Sequence, residues 1–307
     1  MNVLIGGTGF LGGAVAEEMV KRKLPLRCLV RKDSDISKLK KLGVEFCEGD
    51  ARDISSLKKV MEGAESVISS FTTRLLERPK AAYFWDNDYR GNFNLIQLAR
   101  EHKVKKYIFV SYWGLAKFGD FEHGKVKKSV EDLLKVSGLD YTIFRMTTLA
   151  TDMSVLLGNR LKKKGWAPMF MKKEEKVRPI LPADLARCMV DALDNKKASC
   201  KIVEVAGDEE YTFVELNDLF SRVLDKKVRF VFIPSNLAYF IAGIVDVLTD
   251  RAYNAKGLVS AFTGGSTCDI REMKDIFNIN QGSFAKYLED YFQNNAHGST
   301  IATPSKF

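Results

Sequence analysis

The first two thirds of the chain alternate short apolar runs with longer amphipathic ones. The apolar runs predict strands at residues 2–6, 26–30, 44–48, 66–71, 106–111 and 141–145. Segments such as 10–23 and 91–103, whose apolar positions recur every three or four residues, predict helices in the gaps. Strands that are apolar throughout and alternate with helices are typical of a parallel sheet covered on both faces. We therefore expect an α/β protein with a Rossmann-like, doubly wound parallel sheet.

The pattern loosens after about residue 150. Two more strands are predicted at 200–207 and 228–234, among helices at 212–224 and 283–293. The two patterns predict an NAD(P)-binding Rossmann domain over 1–150 and a smaller C-terminal α/β lobe over 151–293. We expect the lobe to pack on the Rossmann domain and to bind a substrate or partner. The last residues, 294–307, are small and polar and predict a disordered tail. The uncharged run 237–245, closed by Asp246, is half the length of a membrane span and predicts an amphipathic or interfacial helix.

A glycine-rich turn, GGTGFLG at residues 6–12, joins the first strand to the first helix. Such a turn brings backbone N–H groups and the positive end of the helix close to a pyrophosphate. In this strand–turn–helix setting it predicts an NAD(P)-binding domain. The residues expected to contact the cofactor are Gly6, Thr8, Gly9, Phe10, Leu11 and Gly12.

The ends of the next strands indicate which dinucleotide binds. The second strand ends in Arg31 and Lys32, where NAD enzymes usually carry an acid, and an arginine there can clamp a 2′-phosphate. This favours NADP(H) over NAD(H), although Arg31 is also explained as an exposed loop residue. Asp50, followed by Ala51, can accept from the adenine amine or cap the next helix. The fourth strand ends in three further candidates for the middle of the cofactor: Ser70, Phe71 and Thr72.

The motifs GGTGFLG, LVRK, GDARD, GNFNLI, VKKYIFVS and SGLDYTIFR together resemble the NmrA-like type of atypical short-chain dehydrogenase/reductase. Within that type, residues 85–118 and the run from 250 to 292 resemble the photosystem II assembly-factor branch and, more distantly, the complex I accessory-subunit branch. The resemblance implies a Rossmann-like fold, NADP(H) binding through residues that include Ser111, and either reduction of small molecules or a role in assembly and regulation.

The chain departs from the family pattern at four places. His123 stands where the usual tyrosine lies four residues before the active lysine. The segment from Ser111 to Gly114 lacks the expected substrate-polarising serine. Asp88 replaces an asparagine, and Met146 replaces the proline that usually follows Arg145. These departures weaken the expectation of catalysis more than that of cofactor binding.

Helical geometry singles out Lys127 among three neighbouring lysines. At about 100° per residue, a helix over 123–136 turns Lys127 into the apolar stripe beside His123, and Lys125 and Lys128 toward solvent. By family analogy Lys127 holds the ribose hydroxyls of the nicotinamide; alternatively it reaches solvent and pairs with Glu131.

Two other side chains are candidate proton donors. His123 can replace the tyrosine, or it can simply begin the helix. Tyr112, at the carboxyl end of the fifth strand, is the second candidate. Trp113 and Phe118 in the same loop form either an aromatic wall for a flat ligand or part of the core.

The composition of the chain indicates its cellular environment. The net charge of +9, in scattered lysine clusters, predicts a solvated basic surface without a nucleic-acid motif and leaves contact with an anionic membrane surface open. None of the five cysteines forms a CxxC pair; they predict small buried hydrophobes in a reducing compartment. The chain starts directly with a strand, so we expect no signal peptide, no transmembrane segment and a cytoplasmic or stromal protein, soluble or membrane-peripheral. We expect no metal site.

Two functions follow from these observations. The first is an NADPH-dependent oxidoreductase that reduces a small carbonyl or conjugated substrate, with the proton from Lys127, His123 or Tyr112. The second is a dinucleotide-binding assembly or regulatory protein without turnover, whose partner belongs to a membrane complex.

Overall fold

The computed structural model describes residues 1–73, 80–115, 121–249, 254–261 and 263–296. In the described chain the strands are β1 (Asn2–Ile5), β2 (Leu26–Val30), β3 (Glu45–Glu48), β4 (Ser66–Ser69), β5 (Lys106–Tyr112), β6 (Tyr141–Met146), β7 (Trp166–Met169), β8 (Lys176–Val177), β9 (Lys201–Val205), β10 (Tyr211–Thr212) and β11 (Arg229–Phe232). Each of the eight predicted strands is present, with its ends within three residues of the prediction.

The α-helices are α1 (Phe10–Lys21), α2 (Ser37–Lys41), α3 (Ile54–Met61), α4 (Ala81–Phe84), α5 (Arg90–Glu101), α6 (Glu122–Lys135), α7 (Ala150–Asp152), α8 (Asn159–Lys164), α9 (Pro182–Asp191), α10 (Phe213–Val223), α11 (Ser235–Leu248), α12 (Ala255–Ala261), α13 (Arg271–Phe277) and α14 (Phe284–Ala296). Two π-helical turns, Trp85–Tyr89 and Met153–Gly158, continue α4 and α7, and a 3-10 turn spans Lys196–Ala198. Helix α14 includes the first three residues of the predicted tail; residues 297–307 lie outside the described part.

The central sheet confirms the doubly wound prediction. Its strand order is β3-β2-β1-β4-β5-β6-β9, and every neighbouring pair is parallel. The chain therefore moves outward from β1 in one direction, returns to β4 beside β1, and continues in the other direction. This reversal leaves a crevice at the carboxyl ends of β1 and β4, which is where open α/β sheets place their ligands.

Both faces of the sheet are buried, because its strands carry apolar side chains on both sides. Helices α1, α9 and α13 cover one face, and α3, α5 and α6 cover the other. A third core, around Phe213, Phe220 and Phe284, holds the C-terminal lobe together. Part of the region predicted as this lobe also completes the sheet, since β9 pairs with β6 and α9 packs beside α1.

Three strands of the lobe were not predicted from the sequence. Strand β7 pairs in parallel with β11, and the short strands β8 and β10 form an antiparallel pair. Pro168 within β7 interrupts the usual strand pattern, which explains the omission. No helix in the described ranges is long and apolar enough to cross a bilayer.

All five cysteines are free thiols. Cys28 and Cys188 are buried as predicted, while Cys47 and Cys268 are half-buried. Cys200 is exposed, in the tight turn that leads into β9, which corrects the expectation of a buried residue.

Candidate functional site

The glycine-rich turn between β1 and α1 admits no side chain at two of its positions. Gly6 has a φ of +92°, and a Cβ there would lie 2.7 Å from the backbone nitrogen of Phe71. A Cβ on Gly12 would lie 2.0 Å from the carbonyl oxygen of Gly6. Helix α1 also lacks a side-chain cap and an acidic residue in its first turn. The amide groups at its N-terminus therefore suit an anionic group such as a pyrophosphate.

The residues after β2 and β3 lie along the same edge of the sheet. Arg31 and Lys32 are exposed. The pKa of Asp50 lies below its ordinary value, chiefly because of hydrogen bonds from Arg52, with a smaller contribution from the charge of Arg31. The Arg52 guanidinium donates to the two carboxylate oxygens of Asp50 at 2.7 and 3.0 Å. The Asp50 carboxylate thus already has a strong partner, besides any adenine amine.

Asn94, which the sequence analysis did not select, fixes the loop after β3. Its buried side-chain amide donates to the backbone carbonyls of Ala51 and Arg52 at 3.0 and 3.1 Å. An open cleft of about 430 Å³ adjoins it, lined by Asp50, Arg52, Asp53, Ile54, Asp86, Arg90 and Asn94. The available signal was the pair of asparagines in GNFN, which lie on the buried side of α5 among apolar residues.

The end of β4 packs against the glycine turn. The Ser70 hydroxyl donates to the backbone carbonyl of Ile5 at 3.0 Å, which ties β4 to β1. The Phe71 ring packs so closely on Gly91 that a Cβ there would lie 2.9 Å from its Cζ. These contacts give Ser70 and Phe71 a structural role in shaping the crevice where β1 and β4 end.

Lys127 faces inward, as its helical position predicted. It is 2 % exposed, whereas the side chains of Lys125 and Lys128 are 43 % and 48 % exposed. Its Nζ donates to the backbone carbonyl of Val110 in β5 at 3.1 Å. The same atom lies 5.7 Å from the centroid of the Tyr112 ring.

Burial lowers the pKa of Lys127 to about 8, against the opposing attraction of Asp88 and Glu131. The alternative prediction, a solvent-reaching Lys127 paired with Glu131, is wrong. Glu131 is buried and accepts two hydrogen bonds from Arg145, at 3.0 and 2.6 Å. A buried lysine with a lowered pKa is typical of a functional site rather than of the surface.

Ser111 lies one residue beyond the carbonyl that Lys127 contacts. Its side chain is fully buried, and its Oγ has no hydrogen-bond partner among the described residues. A buried hydroxyl without a partner is costly, and such groups are commonly satisfied by a ligand or an ordered water. Together with the two glycines that exclude a Cβ, Ser111 fits the presence of a bound group at the carboxyl end of β5.

His123 lies fully buried beside the end of β5, stacked on Phe84 with ring centroids 4.5 Å apart. Its burial lowers its pKa, although Asp88 opposes this, so the ring is neutral near pH 7. The Thr72 hydroxyl donates to Asp88 at 2.9 Å, and from this we infer that it accepts from Nε2 of His123, at 2.8 Å. The other ring nitrogen then accepts from the Tyr112 hydroxyl, at 3.4 Å. We infer a chain of hydrogen bonds from Tyr112 through His123 and Thr72 to Asp88.

Asp88 anchors this chain from inside a π-helical turn. It is fully buried and accepts from the backbone nitrogen and the hydroxyl of Thr73, with the nitrogen at 2.9 Å. Burial disfavours its charged form, but the same Nε2–H of His123, also 3.4 Å from Oδ1, the charge of Lys127 and hydrogen bonds from Thr73 outweigh this and lower the pKa of Asp88. Asn92, one turn later, adds a bond from its amide to the Asp88 carbonyl at 2.7 Å. The π-helical turn is a feature that often marks functional sites.

The predicted residues thus form two groups. Lys127, His123 and Tyr112 come together where β5 meets α6, and Thr72 joins them from the end of β4. Arg31 and Asp50 form the second group at the ends of β2 and β3. The glycine turn after β1 lies between these strands in the sheet. Trp113 is half-buried, and Phe118 lies outside the described residues.

Comparison with known proteins agrees with this architecture. The model of the NmrA-like family matches residues 3–265. The photosystem II assembly factor Ycf39 of Cyanophora paradoxa is 23% identical over 302 residues, which cover 94% of this chain and 91% of that protein. The chloroplastic divinyl chlorophyllide a 8-vinyl-reductase of Arabidopsis thaliana is 25% identical over 269 residues, or 80% of this chain and 63% of that protein.

A solved structure shows the same fold. The NADPH-dependent quinone oxidoreductase of Escherichia coli, complexed with NADPH, superposes with a TM-score of 0.72 and 19% sequence identity, over 95% of this chain and 100% of the other. The family match, the parallel sheet and the glycine turn agree with NAD(P)(H) as the cofactor class. They also confirm the resemblance stated from the motifs. Because the family model matches residues 3–265, which make up most of the chain, the chain belongs to the NmrA-like family.

Proposed function

We propose that this protein is an NADP(H)-dependent reductase of a small carbonyl or conjugated substrate. The observation that carries the proposal is the buried Lys127, whose pKa is lowered to about 8 at the carboxyl end of β5. A buried ammonium costs folding free energy. It donates to the carbonyl just before Ser111, whose hydroxyl has no hydrogen-bond partner among the described residues, and this suggests that a ligand compensates for the cost.

Different residues would bind different parts of the cofactor. The amides of the glycine turn would hold the pyrophosphate, Arg31 the 2′-phosphate, and Lys127 the ribose hydroxyls next to the nicotinamide. When bound, the nicotinamide supplies a hydride. Both an exposed Arg31 and the absence of an acid at the end of β2 favour the phosphorylated cofactor.

Tyr112 is the group best placed to deliver the proton. His123 and Lys127 are almost completely buried, whereas Tyr112 keeps part of its surface exposed. Burial raises the pKa of Tyr112, so its hydroxyl stays protonated at neutral pH. His123 then acts as a positioning residue. The Tyr112 hydroxyl donates to its Nδ1 before substrate binds, and would turn this proton to the substrate for transfer and regain one from solvent, while Thr72 and Asp88 fix the tautomer of the ring.

The comparisons support reduction of an unsaturated substrate. One relative is named as a vinyl-reductase, and one structural neighbour as an NADPH-dependent quinone oxidoreductase. A reduction by hydride also adds a proton to the substrate, and the position of Tyr112 would supply it.

Fluorescence titration with NADPH and NADH tests the cofactor assignment. We expect NADPH to bind more tightly, and Arg31→Ala to weaken NADPH about tenfold or more while leaving NADH unchanged. Lys127→Ala should weaken both dinucleotides, and Lys125→Ala, an exposed lysine on the same helix, should weaken neither. Equal affinity of the wild-type protein for NADPH and NADH would refute the role of Arg31.

NADPH oxidation across a panel of quinones, enones and aldehydes tests the chemistry. Tyr112→Phe should lower kcat about 100-fold with unchanged NADPH affinity, because only the proton donor is lost. His123→Leu should lower kcat less and shift the pH profile, since leucine offers no acceptor behind Tyr112. Turnover of Tyr112→Phe at the wild-type rate would overturn this assignment.

A second function, dinucleotide binding without turnover in the assembly of a membrane complex, is favoured by one comparison. Ycf39, named as an assembly factor, matches nearly the whole chain, and His123 replaces the tyrosine usual in the wider family. Tight NADPH binding with no oxidation of NADPH on any member of the panel would place this second function first.

A further inference from the structure

Helix α11 turns its largest apolar side chains away from the protein. Its buried residues are the small ones, Ala238 and Ala242, together with Asp246. Its exposed residues include Phe240 at 67 % and Val247 at 79 %. This arrangement is the reverse of an ordinary surface helix, which buries large apolar residues and exposes polar ones.

The exposed residues form one continuous surface. We call it the outer face of α11, and it consists of Leu237, Phe240, Ile241, Ile244, Val245, Val247 and Leu248. At about 100° per residue these seven positions cover about 160° of the helix circumference. Every one of them is apolar. A continuous exposed surface of seven apolar side chains marks an interaction site.

The orientation of α11 is fixed by its contacts with α12. The buried carboxylate of Asp246 accepts from the backbone nitrogens of Ala255 and Lys256, at 2.6 and 3.0 Å. The Lys256 side chain crosses Gly243 so closely that a Cβ there would lie 2.8 Å from its Cε. A groove of about 350 Å³ runs along this junction. Rotating α11 against α12 would break these contacts and expose Asp246, so they fix which side of α11 faces α12.

Basic residues gather on the segments that precede α11 in the lobe. Lys162, Lys163 and Lys164 end α8, and all three are exposed. Lys226 donates to the Lys162 carbonyl at 3.4 Å, which brings the loop before β11 against this end of α8.

The polypeptide continues from this basic region into α11. It passes through Arg229 and the exposed apolar residues Val231 and Phe232 of β11 before the helix begins. Trp166, which pairs in register with Arg229, is also exposed, and the Arg160 guanidinium lies 4.6 Å from its ring. An apolar helix face, together with lysine, arginine and tryptophan on the segments that lead into the helix, is the combination that binds the interface of an anionic bilayer.

We propose that the outer face of α11 lies in the interface of an anionic lipid bilayer, with the lysines of α8 on the lipid headgroups. A helix of 14 residues is about 21 Å long, too short to span the hydrocarbon core but sufficient to lie along its surface. The apolar face supplies insertion, and the net charge of +9 supplies attraction. This site is separate from the dinucleotide site and stands whether or not the protein is a reductase.

Co-sedimentation of the full chain with lipid vesicles tests the proposal. The vesicles are phosphatidylcholine alone and an equal mixture of phosphatidylcholine with phosphatidylglycerol. We expect binding to the mixed vesicles and about tenfold weaker binding by Val247→Glu. The matched control is Val136→Glu, because Val136 at the end of α6 is 80 % exposed, as Val247 is 79 % exposed, and the charge change is the same. Circular dichroism checks that both variants fold.

Three results would overturn the proposal. The first is no binding of the wild-type protein to either vesicle. The second is an equal loss of binding in both glutamate variants, which would trace the effect to net charge and not to α11. The third is a lipid-free dimer that Val247→Glu converts to a monomer, which would assign the face to a second copy of the chain. Replacement of Lys162, Lys163 and Lys164 by Gln should reduce binding to the mixed vesicles several-fold; unchanged binding would refute the role of α8.

Discussion

Replacing Lys127 by methionine should make the protein more stable and less able to bind its cofactor. The pKa of Lys127 is lowered by burial from its ordinary 10.5 to about 8. At about 1.4 kcal/mol per pH unit between those values, the buried ammonium costs about 3 kcal/mol of folding free energy. Loss of its hydrogen bond to Val110 offsets about 1 kcal/mol, whereas the attraction of Asp88 is already contained in the lowered pKa. We therefore expect Lys127→Met to raise the free energy of unfolding by about 2 kcal/mol at pH 7.

The pH dependence identifies the cause of this gain. Below pH 8 the lysine is charged in both folded and unfolded protein, so the full cost is present. Between pH 8 and 10.5 the unfolded chain binds more protons than the folded one, so wild-type stability rises relative to the variant and the gain disappears. Urea unfolding at pH 6 to 10 measures the difference. Lys128→Met, an exposed lysine on the same helix, should change stability by less than about 0.5 kcal/mol. The reasoning would be refuted if Lys127→Met had a lower free energy of unfolding than the wild type at pH 7 and the difference did not change with pH.

Other substitutions probe the turn, the buried acid and the ion pair. Gly12→Ala should abolish NADPH binding in a fluorescence titration, whereas Gly43→Ala, a left-handed position with open space around it, should cost about 1 kcal/mol in urea unfolding and leave binding intact. Asp88→Asn should cost about 3 kcal/mol in the same assay, because the new amide cannot accept all the hydrogen bonds that the carboxylate receives; a loss below 1 kcal/mol would contradict this. Glu131→Met should cost about 4 kcal/mol by leaving Arg145 unpaired, and the double variant with Arg145→Met should recover most of the loss; no recovery would exclude a direct pairing effect.

The sheet was predictable from sequence because its strands are buried on both faces. Segments such as Leu26–Val30 and Tyr141–Met146 are apolar at most positions and do not alternate strictly with polar ones, which is the pattern of a strand covered on both faces. The inward direction of Lys127 was also predictable, since a helix of this length and its apolar stripe fix the direction of each side chain.

Tertiary contacts decide the features that the sequence did not reveal. Asp88 was noticed only as a departure from a family pattern, because its partners Thr72 and His123 come from distant segments. The outer face of α11 was equally hidden. Asp246 is the one charged residue of the helix, and apolar residues lie on all of its sides. Periodicity alone therefore could not tell which side the protein covers.

The position of β9 has a consequence for synthesis of the chain. Strand β6 ends at Met146 and its neighbour β9 begins only at Lys201, so the polypeptide of the lobe emerges from the ribosome between two adjacent strands. Because synthesis adds about 5–20 residues per second, the edge of β6 stays unpaired for several seconds until β9 has emerged. A nascent chain in that interval presents an open, apolar strand edge, which is a template for pairing with another chain. Expression of residues 1–150 alone should therefore give aggregates, and extension through β9 should restore a soluble product.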